Sequence, residues 1–142
     1  MSLRHKSREI ALQTLYQLEL KNISLESTLD FDWIKNKKRI PSGVFIFAET
    51  IITGTLNHLE EIDMTIENHL TNWKLDKITK IDLSILRMSS FSLLFQNESI
   101  PPAVTLNEAV QLAKKFSSEK SHQFINGVLG AILNSIINKS EE

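Results

Sequence analysis

Apolar residues recur along most of this chain at intervals of three and four, the spacing of one buried helical face. The first such run predicts a helix from about Leu3 to Leu20, with Ala11, Leu15 and Leu18 on one line and Leu12 and Tyr16 beside it. The stretch from Asn22 to Pro41 is the least regular; Leu25, Leu29, Phe31, Trp33 and Ile34 suggest a short helix before a basic loop. Ser42 is placed to cap a helix through Phe45, Ala48, Ile51, Ile52 and Leu56, with a break near Gly54 or Asn57. Leu59, Ile62, Ile66 and Leu70 repeat at the same spacing, with Glu60, Glu61, Asp63 and Glu67 turned outward. Asp76 or Thr79 then caps a helix from Lys80 to Gln96 whose apolar residues cover most of its circumference, the mark of a helix surrounded by others.

Pro101 and Pro102 cannot continue a helix, so the next one is expected to begin at Thr105. Thr105 and Glu108 have the spacing of a capping box, with Val104 and Ala109 as a hydrophobic staple. The stripe Leu106, Ala109, Val110, Ala113, Phe116 follows, then the polar run Ser117-Ser118-Glu119-Lys120-Ser121-His122. Phe124, Ile125, Val128, Leu129, Ile132, Leu133 and Ile136 complete a last helix. No convincing strand alternation interrupts this pattern, so the chain is read as all-α, about seven helices in a single domain, 1–142.

The formal net charge of −1 conceals a strong asymmetry. Arg4, Lys6 and Arg8 precede the first acid, and no Lys or Arg occurs between Ile40 and Trp73, where Glu49, Glu60, Glu61, Asp63 and Glu67 lie. Cations return at Lys74, Lys77 and Lys80 and at Lys114, Lys115 and Lys120. The run from Lys35 to Arg39 reads as a solvated face. The absence of cysteine excludes disulfides and thiolate metal sites. No segment approaches the ~18 apolar residues of a membrane span, and the first residues lack the apolar core of a signal peptide, so a soluble cytoplasmic protein without membrane association is expected.

Catalytic patterns are missing. His5, His58, His69 and His122 are scattered, the four glycines form no phosphate loop, and no Gly-x-Ser-x-Gly turn occurs. A binding protein with no cofactor and no metal is expected rather than an enzyme. The acids near Glu60 sit on the polar flank of a helix and read as solvated. By contrast, Phe116 and Phe124 bracket Lys114, Lys115, Lys120, His122 and Gln123, a mixture suited to unstacked bases and phosphates, although periodicity alone favours both rings as core. Arg4 and Arg8 share a line with Ala11 and Leu15 and are expected to project as a partly frayed basic arm.

These residues together resemble the NusB family of transcription antitermination proteins over nearly the whole chain. The resemblance runs through Arg4, Arg8-Glu9, Ala11-Leu12-Gln13, Leu15-Tyr16, Asn72-Trp73, Ile81-Asp82 and Ile85-Leu86-Arg87. It is densest from Ile100-Pro101 through Asn107-Glu108-Ala109-Val110 and Leu112-Ala113-Lys114 to Phe124-Ile125-Asn126-Gly127-Val128-Leu129. It implies two small helical bundles packed on each other. It also implies binding to the single-stranded boxA element of ribosomal RNA transcripts jointly with NusE, a small-subunit ribosomal protein, in an RNA polymerase complex that reads through terminators.

By position, the resemblance assigns RNA contact to Arg4, His5, Lys6, Arg8, Tyr16, Phe116, Lys120, Ser121 and Phe124, and NusE contact to Tyr16, Asp76 and Asp82. Arg4, Lys6, Arg8 and Lys120 would hold the backbone while Phe116 and Phe124 stack or flank bases. Asn126-Gly127 is expected to serve helix packing. Lys120 stands where the family often has an acid, an added cation expected to raise affinity and salt sensitivity. Apolar positions near Tyr16 and Phe116 are expected to allow a homo-oligomer when partners are missing. The competing reading is an adaptor whose acidic surface binds a basic ribosomal protein without RNA affinity of its own. A third, the NusB-like front part of a ribosomal RNA cytosine methyltransferase, needs a cofactor domain and a nucleophilic cysteine that residues 1–142 do not hold.

Overall fold

The computed structural model describes residues 2–21, 24–71 and 74–141, the side chain of the last excepted. Asn72 and Trp73, which help carry the resemblance, and the Asn22 end of the irregular stretch lie outside the described residues. Among those described there are seven α-helices and no strand: α1 Leu3–Leu20, α2 Leu25–Leu29, α3 Ser42–Asn57, α4 Leu59–Asn68, α5 Lys80–Phe95, α6 Pro102–Phe116 and α7 Glu119–Glu141. Single 3₁₀ turns occupy Lys37–Arg39 and Leu75–Lys77.

The helix apolar on nearly every side is α5, and it is the centre of the molecule, packed against α1, α3, α4, α6 and α7. Leu83, Ile85, Leu86, Met88, Phe91 and Leu93 fill its buried surface. Apart from Asp82 in the first turn, its remaining buried positions are Ser84, Ser89, Ser90 and Ser92, small enough to let neighbouring helices approach. The Ser84 hydroxyl returns its hydrogen bond to the Lys80 carbonyl at 2.9 Å, and Ser92 donates to the Gln96 side chain at 2.7 Å. Around this axis α1, α2 and α3 form one small bundle and α4, α6 and α7 another, the arrangement expected from the resemblance.

Thr79 caps α5 by accepting from the Asp82 amide, one of the two caps proposed from the sequence. α6 does not start at Thr105 as its spacing predicts. The helix begins at Pro102, so Thr105 lies inside its first turns, 4% exposed, with its hydroxyl buried and unpartnered among the described residues. Val104, offered as half of a staple, is exposed. Proline cannot continue a helix but is well suited to start one, because its fixed φ matches the first turn and its missing amide is an orphan there anyway.

Glycine matters for packing at one position. A Cβ at Gly54 would lie 2.1 Å from the Phe91 ring, so the bare backbone of α3 is what admits that ring where α3 meets α5. α3 therefore runs through Gly54 and breaks only at His58. At Gly127 a Cβ would meet no described atom within 4 Å, so the close helix approach expected there is found at Gly54 instead. In the irregular stretch Phe31 adopts a left-handed backbone (φ 57°), rare for a bulky residue, while its buried ring packs 5.2 Å from that of Phe45.

Asp63 does not turn outward with its acidic neighbours. Arg87 forks onto it, Nε and Nη2 each donating at 2.9 Å, and Nη1 donates to Glu19 at 3.2 Å, tying α1, α4 and α5 together. Burial pulls the Arg87 pKa down, but the hydrogen bonds and charges of Asp63 and Glu19 outweigh it and raise it overall. Arg87→Ala leaves two carboxylates facing each other, and a loss of about 1–2 kcal/mol in urea denaturation is expected. The reverse change, Asp63→Asn, which keeps one acceptor, should lose less.

Candidate RNA interface

The basic segment at the start of the chain is helix, not a frayed arm. Ser2 caps α1 by accepting from the His5 amide at 3.0 Å, and the Ser7 hydroxyl donates to the Val44 carbonyl of α3 at 2.8 Å. Arg4 is exposed but Arg8 is only 5% exposed. Both guanidinium groups lie over the Phe47 ring of α3, with Arg4 at 4.6 Å and Arg8 at 5.4 Å from its centroid. A cation over a ring face is attracted by the ring quadrupole, which explains how two arginines one turn apart stay ordered. Burial lowers the Arg8 pKa, Glu108 opposes that and Arg4 adds to it. The Arg8 guanidinium rests on the Phe47 ring and feels the charge of Glu108, and it borders a groove of about 510 Å³ with Ser2, Leu3, Arg4, Ile100, Pro101, Val104 and Glu108. A cation so placed is a ready receptor for an anion.

Long side chains join α1 to α6 through a ladder of charges. His5 lies between Glu108 (Nδ1 to Oε2 2.6 Å) and Glu9 (Nε2 to Oε2 3.2 Å). Lys115 donates to Glu9 at 2.7 Å, with its ammonium 5.4 Å from the Phe116 ring centroid. His5 is thus engaged by two carboxylates, while Lys6 is half-buried beside it. The carboxylates Glu9 and Glu108 lie on the face expected to meet RNA, and the Lys115 ammonium offsets the charge of Glu9. Lys115→Ala should uncover Glu9 and weaken RNA binding about two- to fivefold in a titration at low salt.

At the other end of α6 the serine-rich corner is a hydrogen-bonded knot. Ser117 donates to Ser121, Ser118 accepts from the Ser121 amide, and the Ser121 hydroxyl donates to Asp82 at 2.8 Å, fixing α7 to the first turn of α5. Beside the knot lies a groove of about 340 Å³ lined by Lys77, Ile78, Thr79, Asp82, Lys120, Ser121 and Phe124. Phe124 also borders a second groove of about 330 Å³ toward the end of α4, with Gln123, Gly127 and Thr71. Phe116 and Phe124 are both half-buried against the core, so each ring serves packing and still presents surface.

The expected residues therefore do not form one pocket. Arg4 and Arg8 sit by the first turn of α6 and Phe116, Lys120, Ser121 and Phe124 by its end, and α6 rises about 18 Å from Val104 to Phe116. Tyr16 is half-buried further along α1, its phenol without a hydrogen-bond partner among the described residues. Asp76 is exposed in the 3₁₀ turn before α5, and Asp82 is buried at 6% exposure. Sequence reasoning missed Lys77, which faces the same groove as Lys120, and Phe47, on which the arginines rest. Among the described residues no group of three or more His, Cys, Asp or Glu is placed to hold a metal, and no helix is long and apolar enough to cross a membrane.

A family model described as NusB matches residues 5–134. The chain belongs to the NusB family. It is 42% identical over 130 residues to the transcription antitermination protein NusB of an Exiguobacterium species, covering 92% of this chain and 96% of that one. It is 44% identical over 126 residues to NusB of Lysinibacillus sphaericus, covering 89% and 93%. Among solved structures, NusB of T. maritima superposes with a TM-score of 0.83 at 30% identity, covering 92% of this chain and 90% of that one. A complex of the antitermination factors NusB and NusE with double-stranded RNA contains a chain that superposes at 0.78 and 29% identity, covering 95% and 98%. The NusB fold thus accounts for the arrangement of α1 to α7 along its full length.

Proposed function

We propose that this protein is a transcription antitermination factor that binds boxA RNA of ribosomal RNA transcripts jointly with NusE and helps RNA polymerase read through terminators. Its role is regulatory and cytoplasmic, and no catalytic step is assigned to it. The observation that supports this most directly is the pair of grooves at the two ends of α6: one bordered by the Arg4 and Arg8 guanidinium groups and the other by Lys77, Lys120 and Phe124. Cations at the two ends of a helix suit a phosphate backbone running between them, and a half-exposed ring between two grooves suits unstacked bases.

In this reading Arg4, Lys6, Arg8 and Lys120 contact phosphates, Phe116 and Phe124 flank bases, and His5 and Ser121 contribute polar contacts. Tyr16, Asp76 and Asp82 mark the edge shared with NusE. The relatives described above support the pairing with NusE and RNA, since their names join those components to this fold.

The test is fluorescence anisotropy of labelled boxA RNA and a scrambled control, with and without NusE. Selective binding that tightens with NusE is expected. With about four phosphates neutralised, the slope of log affinity against log salt should be about −3 for a single strand. Equal, weak binding to both RNAs, alongside full-strength assembly with NusE, would replace this reading with that of a protein adaptor.

A further inference from the structure

Asp82 holds a hydrogen-bonding capacity that nothing among the described residues uses. Its Oδ2 accepts from Ser121 at 2.8 Å, while Oδ1 is buried with no hydrogen-bond partner among the described residues. The position itself has a local cause: Asp82 stands in the first turn of α5 behind the Thr79 cap, where the helix dipole favours an anion, and Ser121 fixes its orientation. Neither supplies a donor to Oδ1. A carboxylate oxygen kept from water without a donor is unfavourable, and a ligand that brings one recovers that loss.

The residue forms part of the wall of the 340 Å³ groove, together with Lys77, Ile78, Thr79, Lys120, Ser121 and Phe124. Lys77 and Lys120 are exposed. Their charge repels a lysine or arginine side chain that might otherwise be drawn to the carboxylate. It attracts phosphates, and Ile78 and Phe124 offer apolar surface to the face of a flat ring. The ligand with a donor edge, an apolar face and anionic flanks is a nucleotide within a single strand. Oδ1 is covered in the free protein, so the groove's lining side chains, the exposed Lys77 and Lys120 among them, must shift when a base enters.

We propose that Asp82 is a base-selecting residue, its Oδ1 accepting a hydrogen bond from the exocyclic amino group of a base seated in this groove. This rests on the RNA-binding reading above and adds a preference to it. Cytosine presents an amino donor where uracil presents a carbonyl oxygen, and an acceptor facing an acceptor is rejected. The single N–H of uracil lies between two carbonyls and does not substitute for it.

Fluorescein-labelled (C)12 and (U)12 RNAs, titrated against the full chain at pH 7.5, test the idea. The cytidine oligomer is expected to bind about tenfold more tightly. Asp82→Asn should bring the two within about twofold, because a side-chain amide offers either a donor or an acceptor. Loss of the negative charge raises both affinities alike, so the ratio isolates base selection. A (C)12 oligomer carrying dimethylated exocyclic nitrogens should lose the tenfold advantage on the unaltered protein, a reading independent of whether the variant folds. Equal binding of (C)12 and (U)12 by the unaltered protein would overturn base selection and leave RNA binding standing. No binding of either would remove both. A ratio unchanged by Asp82→Asn, with NusE binding lost, would also overturn the proposal, since Asp82 would then serve the protein partner.

Discussion

Phe91→Ala is expected to lower folding stability by about 3–5 kcal/mol in urea denaturation followed by circular dichroism. The ring is 6% exposed, belongs to the central helix and lies directly on the Gly54 backbone of α3. It also stands 5.7 Å from the Phe95 ring, so truncation opens a space bounded by two helices and an aromatic neighbour. Gly54→Ala addresses the same contact from the other side. Its methyl group must displace the ring, a loss of about 1–3 kcal/mol, against a gain of about 1 kcal/mol from alanine's better helix propensity. In the Phe91→Ala background that clash is absent, and Gly54→Ala should become neutral or stabilising. The pair is therefore expected to be non-additive by about 1–3 kcal/mol. Additive losses would show that α3 and α5 do not meet through this ring.

The helices were legible in the sequence because their signals are local. Leu3–Leu20 and the α5 start at Lys80 follow directly from apolar spacing and the Thr79 cap. The α6 start is misplaced by local spacing because two local signals compete in the same seven residues, Pro102 to Glu108. A Thr-x-x-Glu spacing imitates a cap, while Pro102 starts the helix three residues earlier and leaves Glu108 to meet His5. No short-range pattern reports that contact, since it joins residues 103 positions apart. The close approach at Gly54 was hidden for the same reason: a glycine in a helix signals that something comes near, but not which glycine or which partner.

The site divides along the same line. Which residue types would serve an RNA ligand was readable from basic and aromatic spacing. What each is already doing in the folded chain was not. Arg8 is packed on Phe47 rather than held out in an arm, His5 is engaged by Glu9 and Glu108, and Ser121 is committed to Asp82. Lys77 escaped notice because it joins Lys120 only through the packing of α5 on α7. These commitments change the mechanism. An RNA strand meets a surface already ordered, so less conformational entropy is lost on binding than a frayed arm would require.

Phe124→Ala is the substitution with the largest effect expected on RNA binding. A base stacked on an aromatic ring contributes about 1–3 kcal/mol, so boxA affinity should fall by roughly 5- to 150-fold with little change in the salt slope, because no phosphate contact is removed. The ring is also half-buried against the core, so the variant loses some folding stability, and binding must be measured well below its unfolding temperature. Phe124→Leu separates the two roles. Leucine keeps most of the packing volume but has no ring face, so it should restore stability while leaving RNA affinity near that of the alanine variant. If Phe124→Leu binds boxA RNA as tightly as the unaltered chain, Phe124 is a core residue, and the two grooves it divides take no stacked base. If only Phe124→Leu is stable and both variants bind weakly, the ring stacks on RNA, and Lys77 and Lys120 on its flank become the next positions to vary.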